Sequence, residues 1–190
     1  MIKIGIIVGS TRPGRNGDTV AEWVRDLAVK RGDAEFEVVD LRDFDLPHLD
    51  EAFPAAYGQY EHPHTRAWSE RIASFDGFVF VTPEYNSSTS GVLKNAIDFL
   101  YAEWADKAAG FVSYGVDGGA RAAEHLRQVL GRVKVADVPA QVTLSLHTDF
   151  EAFTDFKPAA HREETVTTML DQIVSWATAL RPLRTAEVAA

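Results

Sequence analysis

Along this chain, short apolar runs alternate with stretches whose apolar residues recur at helical spacing, and that alternation leaves few architectures open. Residues 2–8 form an apolar run of the kind found in strands covered on both faces. Val20, Trp23, Val24, Leu27 and Ala28 then mark a helix face, with Gly32 placed to cap its end. Residues 36–39, 78–81 and 111–114 have the character of further strands. Between and after them, Trp68, Ile72 and Phe75, then Leu93, Ala96, Ile97 and Leu100, then Leu126, Val129, Leu130 and Val133 mark three more helices. Val142, Leu144 and Leu146 alternate with Gln141, Thr143 and Ser145, as in a strand with one wetter face at a sheet edge. Val166, Met169, Leu170, Ile173, Ala177 and Leu180 line a last helix. Five strands interleaved with five helices predict an α/β fold, a doubly wound, five-stranded parallel sheet with helices on both faces.

With 190 residues, 46% of them hydrophobic, the chain can bury one core and is short for two. A single domain over residues 1–181 is expected, followed by a flexible tail, 182–190, that starts at Pro182. Asp and Glu outnumber Lys and Arg by 28 to 19, and the net charge of -9 disfavours nucleic acid and anionic membranes as partners. There is no cysteine, so disulfides, thiolate metal sites and thiol redox chemistry are excluded, and any electron transfer needs a bound cofactor. The apolar N-terminal run is too short for a membrane span or signal peptide, which predicts a cytoplasmic protein.

A doubly wound sheet binds its ligands beyond the carboxyl ends of its strands, so the segments after the first, third and fourth strands carry the search. The first contains Ser10, Thr11, Arg12, Arg15, Asn16 and Gly17 and runs directly into a helix. Unpaired helix amides, hydroxyls and two guanidinium groups together suit a phosphate dianion. Neither GxGxxG nor the GK[ST] ending of a P-loop is present, which favours a terminal monophosphate over a pyrophosphate. The same residues also fit a polar turn in which Asn16 or Asp18 caps the helix and the arginines are solvated. In the second segment Pro83 stiffens the strand exit, amides from Glu84 to Asn86 fit the polar edge of a planar ring, and Tyr85 packs nearby; the segment also fits a turn with a helix cap at Ser88 to Ser90, and Glu84 fits a surface carboxylate equally well. The third holds Ser113, Tyr114, Gly115, Gly118 and Gly119, whose glycines let main chain approach a flat ligand.

At these residues the chain resembles the NADPH-dependent FMN reductases of flavodoxin-like fold. The matching pieces are GSTRPGR before the first helix, TPEYN with LKNAIDFL after the third strand, and SYG with a following glycine pair after the fourth. The resemblance implies that Ser10, Arg12, Arg15, Asn16 and Gly17 hold the FMN phosphate. It implies that Pro83, Glu84, Tyr85 and Asn86 edge the isoalloxazine, and that Ser113, Tyr114, Gly115, Gly118 and Gly119 close the ring pocket. Asn16-Gly17-Asp18 stands where members often carry a hydroxyl residue, and Val116 where a second glycine is common. The implied activity is hydride transfer from NADPH or NADH to FMN and on to a flat small-molecule acceptor such as free flavin, a quinone or an azo compound. No catalytic side chain is singled out. A homodimer or tetramer is also implied.

The alternative is an FMN-binding electron carrier or sensor domain that uses no nicotinamide, for which the same three loops are needed. His62 and His64 flank Pro63 without a further ligand motif and are read as solvated, so no metal site is expected. Trp23, Trp68 and Trp176 fall on apolar helix faces and are expected in the core. Trp104, Tyr101 and the aromatics of the unusually long connection 41–63 are candidates for a subunit contact, while the stretch 53–60 fits either an interface or a folded-back loop.

Overall fold

Alternate residues of the central strands feed two separate cores. In the computed structural model, which describes residues 1–186, β1 (Ile2–Val8) pairs in parallel with β2 (Ala34–Asp40) on one side and β3 (Gly77–Pro83) on the other. β4 (Lys107–Gly115) and β5 (Val135–Ser145) extend the sheet, giving the order β2-β1-β3-β4-β5, all parallel. Ile4, Ile6, Val8, Val79, Val81 and Val112 point to one face, under α1 (Gly17–Ala28) and α5 (His161–Ala186). Ile7, Phe78, Phe80 and Phe111 point to the other, under α2 (Pro63–Ala73), α3 (Gly91–Asp98) and α4 (Ala120–Arg132). Burying each such side chain stabilises by about 1.5–3 kcal/mol, so a one-residue slip of register would forfeit both cores at once.

The expected architecture is therefore present, with three differences in extent. β5 begins at Val135, well before the alternating segment, and passes through Pro139. Its position at the sheet edge permits this, because an edge strand has one unpaired row of backbone groups, and the register with β4 shifts between Ala109 and Phe111. α5 runs past Pro182 to Ala186 rather than stopping at Arg181. Tertiary contacts hold the extra turn: Arg184 pairs with Asp76 and donates to the Asp106 carbonyl, while Arg181 donates to the Met1 carbonyl at 3.1 Å. Residues 187–190 of the expected tail lie outside the described residues. The third difference is a two-stranded antiparallel hairpin between β5 and α5, formed by β6 (Phe150–Glu151) and β7 (Asp155–Phe156).

The tryptophans divide differently from the helical periodicity. Trp68 is fully buried and donates to the Ala96 carbonyl at 2.8 Å. Trp104 is not a surface contact but core, fully buried at 5.0 Å from the Phe78 ring, with its indole N–H on the Ile97 carbonyl. Trp176 is exposed, because the inner face of α5 is taken by Ile173 and Ala177. Trp23 is half-buried against the edge of Phe156. No helix among the described residues is long and apolar enough to cross a membrane.

Candidate functional site

The three loops meet above the carboxyl ends of β1, β3 and β4, and the start of α1 is where their polar groups converge. Ser10 is buried at the end of β1, with its hydroxyl 2.9 Å from the Tyr85 hydroxyl of the second loop. The first-turn amides of α1 have no carbonyl within the helix to bond. Asn16 stands at the N-cap, yet its side chain does not cap; its amide reaches instead to the Phe153 carbonyl at 2.9 Å. Gly17 is required here by close approach, since a Cβ would lie 2.9 Å from the Tyr114 hydroxyl.

That hydroxyl is the most informative atom of the site. Tyr114 is 6% exposed, and among the described residues its Oη is buried without a hydrogen-bond partner. Burial pushes the phenol well above its ordinary pKa, so it remains a proton donor; Tyr85 and Asp18 act in the same direction, and Arg15 and Arg12 act against it. A buried, unpaired donor beside a helix N-terminus, with cations at hand, fits an anionic oxygen. The residues present therefore fit the phosphate of FMN.

The two arginines do different jobs. Arg15 is nearly buried and committed inward: it donates to Asp40 at the end of β2, once at 2.8 Å and once through its other Nη, and to the Ser10 carbonyl. The Asp40 bond raises the guanidinium further above its ordinary pKa. Burial alone would raise the Asp40 carboxyl, but Arg15 and the Arg42 amide together hold it below its usual value. Arg15 is thus a brace for the loop, leaving its Nε as the atom without a hydrogen bond, 3.7 Å from the Asp18 carboxylate. Arg12 is exposed, and among the described residues its guanidinium makes one long bond, 3.4 Å to the Gly14 carbonyl, which leaves it able to meet a ligand. A second brace is Arg42, which donates to the Thr11 carbonyl at 3.2 Å and the Arg12 carbonyl at 2.8 Å. Asp40 and Arg42 were not among the expected site residues. Their signal was positional: in this strand order β2 flanks β1, so its carboxyl end must abut the first loop.

In the second loop, Tyr85 and Ser88 exchange backbone bonds of 2.8 and 3.1 Å around Asn86 and Ser87, which both hold positive φ (50° and 65°). This tight turn stands Tyr85 over Ser10 and carries Asn86 to the exposed tip. Ser90 caps α3, as one of the two uses open to this segment. Glu84 is tied to the third loop: its amide donates to the Tyr114 carbonyl, and its carboxylate accepts from the Arg121 amide at 3.1 Å and guanidinium at 2.9 Å. It therefore caps α4 rather than lying loose on the surface. Pro83 is buried opposite Tyr114 in the sheet.

The third-loop glycines answer first to internal geometry. Gly118 and Gly119 both have positive φ, and a Cβ on Gly119 would sit 2.8 Å from the Tyr114 amide nitrogen. Ser113 is buried and donates to the Gly118 carbonyl at 2.9 Å. A Cβ on Gly115 would approach the Glu84 Cβ at 3.2 Å, so the second and third loops pack directly on each other. His62 and His64 stack at 5.1 Å, with His64 3.0 Å from the Asp50 carboxylate, away from these loops.

Comparison with known proteins shows the family. Residues 2–149 match the model of the family described as NADPH-dependent FMN reductase. The chain belongs to that family. Within the reductase family it is 42% identical over 149 residues to an NAD(P)H-dependent FMN reductase of Schizosaccharomyces pombe, covering 77% of this chain and 74% of the relative. It is 37% identical over 142 residues to a quinone reductase of Escherichia coli K12, covering 68% and 69%. The fold is shared with FerB, a flavoenzyme NAD(P)H:(acceptor) oxidoreductase of Paracoccus denitrificans, at a TM-score of 0.74 and 24% identity over 94% of this chain and 98% of that one.

Proposed function

We propose that this reductase moves hydride equivalents from NADPH or NADH through bound FMN to a flat acceptor, a free flavin, quinone or azo compound. The observation that carries the proposal is the Tyr114 hydroxyl, buried and unpaired at the start of α1 beside Arg12. FMN supplies, when bound, the two-electron chemistry that no side chain here provides. The chain's own residues bind and orient. Ser10, Arg12, Gly17 and Tyr114 hold the phosphate, Arg15 and Arg42 brace the loop that does so, and Asn16 ties it to the β6–β7 hairpin. Pro83 to Asn86 and the 113–119 loop, locked together through Glu84 and Arg121, offer a rigid edge to the ring.

A homodimer, or a pair of dimers, accompanies this activity in our proposal. Asn95 fixes the long 41–63 connection by accepting from the Leu49 amide at 3.0 Å and donating to the Pro47 carbonyl at 2.7 Å. Leu49, Phe53 and Tyr57 of that connection and Val92 of α3 are left exposed, apolar side chains suited to a contact with a second copy. The cytoplasm, where reduced nicotinamides are regenerated, is the proposed location.

The test is steady-state oxidation of NADPH and NADH by the FMN-loaded protein with a quinone acceptor. Turnover with parallel double-reciprocal lines is expected, because reduction and reoxidation alternate at one ring. FMN binding without nicotinamide oxidation by any acceptor would leave an electron carrier instead.

A further inference from the structure

The connection from β5 to α5 does more than span a gap. Its base is anchored in the core: Asp149 is fully buried and accepts from the Arg162 guanidinium at 3.1 Å and the Ser145 amide at 2.9 Å. Phe150 and Phe156 pack on each other at 5.0 Å, and reach Tyr114 and Trp23 respectively. From that base the β6–β7 hairpin projects to the start of α1, where the Phe153 carbonyl takes the Asn16 amide. The tip is a tight turn closed by the Thr154 amide on the Glu151 carbonyl at 3.1 Å. Its two central residues, Ala152 and Phe153, hold φ of 47° and 63°, a region that turns of this kind normally fill with Asn and Gly. Nothing in the local sequence favours that conformation, so the tip's position is set by what it meets. The hairpin also lies beyond residue 149, where the family match ends.

We propose that this hairpin makes the site selective for a flavin mononucleotide over a flavin dinucleotide, with Phe153 as the specificity-determining residue. The inference rests on the FMN reading above. On that reading a terminal phosphate would be held at the start of α1 by Ser10, Arg12 and the Tyr114 hydroxyl. A diphosphate must carry an adenosine outward from that point. On one side the Thr11 and Arg12 carbonyls are held by Arg42, which fixes the first loop against the end of β2. On the other stands the hairpin tip, with the Phe153 ring held edge-on to His147 at 5.4 Å. Selectivity then comes from steric exclusion of the larger ligand and not from stronger contacts with the smaller one.

Fluorescence titration of the flavin-free protein with FMN and with FAD tests this. The intact chain should bind FMN at least about 100-fold more tightly than FAD. Phe153→Gly removes the ring while suiting the turn, so it should fold; FAD binding should tighten roughly tenfold or more while FMN binding stays within about threefold. Ala152→Gly relaxes the same turn and keeps the ring, and should leave the preference unchanged. An unaltered preference in Phe153→Gly, or an equal loss in Ala152→Gly, would overturn the role of Phe153 and leave the FMN reading standing. Equal affinity of the intact chain for both flavins would overturn the selectivity itself, and failure to bind either would overturn both readings.

Discussion

Replacing Tyr114 by Phe should have effects of opposite sign with and without flavin. In the flavin-free protein the hydroxyl is buried and unpaired, and such a group costs about 1–3 kcal/mol. Removing it while keeping the ring, which packs 6.4 Å from Phe150 and over Gly17, should stabilise by about 1 kcal/mol. For a domain of this size that raises Tm by roughly 2–4 °C. With FMN bound, the same hydroxyl is proposed to donate to a charged phosphate oxygen, a bond of about 1.5–3 kcal/mol, so the variant's Kd should rise by roughly 10- to 150-fold. Thermal unfolding of both forms, together with flavin fluorescence titration, reads both effects on one pair of proteins. A lower Tm in the flavin-free variant with an unchanged Kd would refute the reasoning, because the hydroxyl would then have a structural partner and no role toward phosphate.

The division between the two arginines gives a second contrast. Arg12→Ala should weaken FMN binding about tenfold and leave the flavin-free Tm unchanged. Arg15→Ala strands the Asp40 carboxylate and should cost about 2–3 kcal/mol of stability, below the full value for a buried pair because Asp40 is partly exposed. Equal Tm values for the two variants would return both arginines to a common role. At the far end of the sheet, Lys107 is buried with its amine on the Ile72 and Ala73 carbonyls, and burial, then the nearby Arg184, lowers its pKa from 10.5 to about 7. Between those two values the unfolded chain holds a proton that the folded one releases, so stability should rise with pH across that window. Urea midpoints from pH 7 to 9 should show this in the native chain and a flatter profile in Lys107→Met; parallel profiles would mean the amine stays charged in the fold.

What could be read from the residues in order, and what could not, follows from the range of the interactions involved. Strand and helix order were legible because each element announces itself locally, Phe78 and Phe80 facing one core and Val79 and Val81 the other. The polar loop before the first helix was legible for the same reason, with its donors crowded into residues 10–17. The roles within it were not. Arg12 and Arg15 are alike in sequence, and what separates them is Asp40, which lies 25 positions after Arg15 and reaches it only because β2 pairs with β1. Glu84 likewise gained its partner from Arg121, 37 positions on, through the contact of the second and third loops. Trp104 follows a helix like a surface residue, yet Phe78 and Phe80 enclose it. The hairpin was hidden for a further reason. Ala152 and Phe153 contradict the turn they occupy, and where local preference opposes the observed backbone the cause must lie elsewhere in the fold. Here that place is Asn16, 137 positions earlier, whose side chain abandons the usual capping bond to hold the Phe153 carbonyl. Two local preferences are thus given up at the ends of one hydrogen bond, which ties the tip to the start of α1, beside the site proposed for the phosphate.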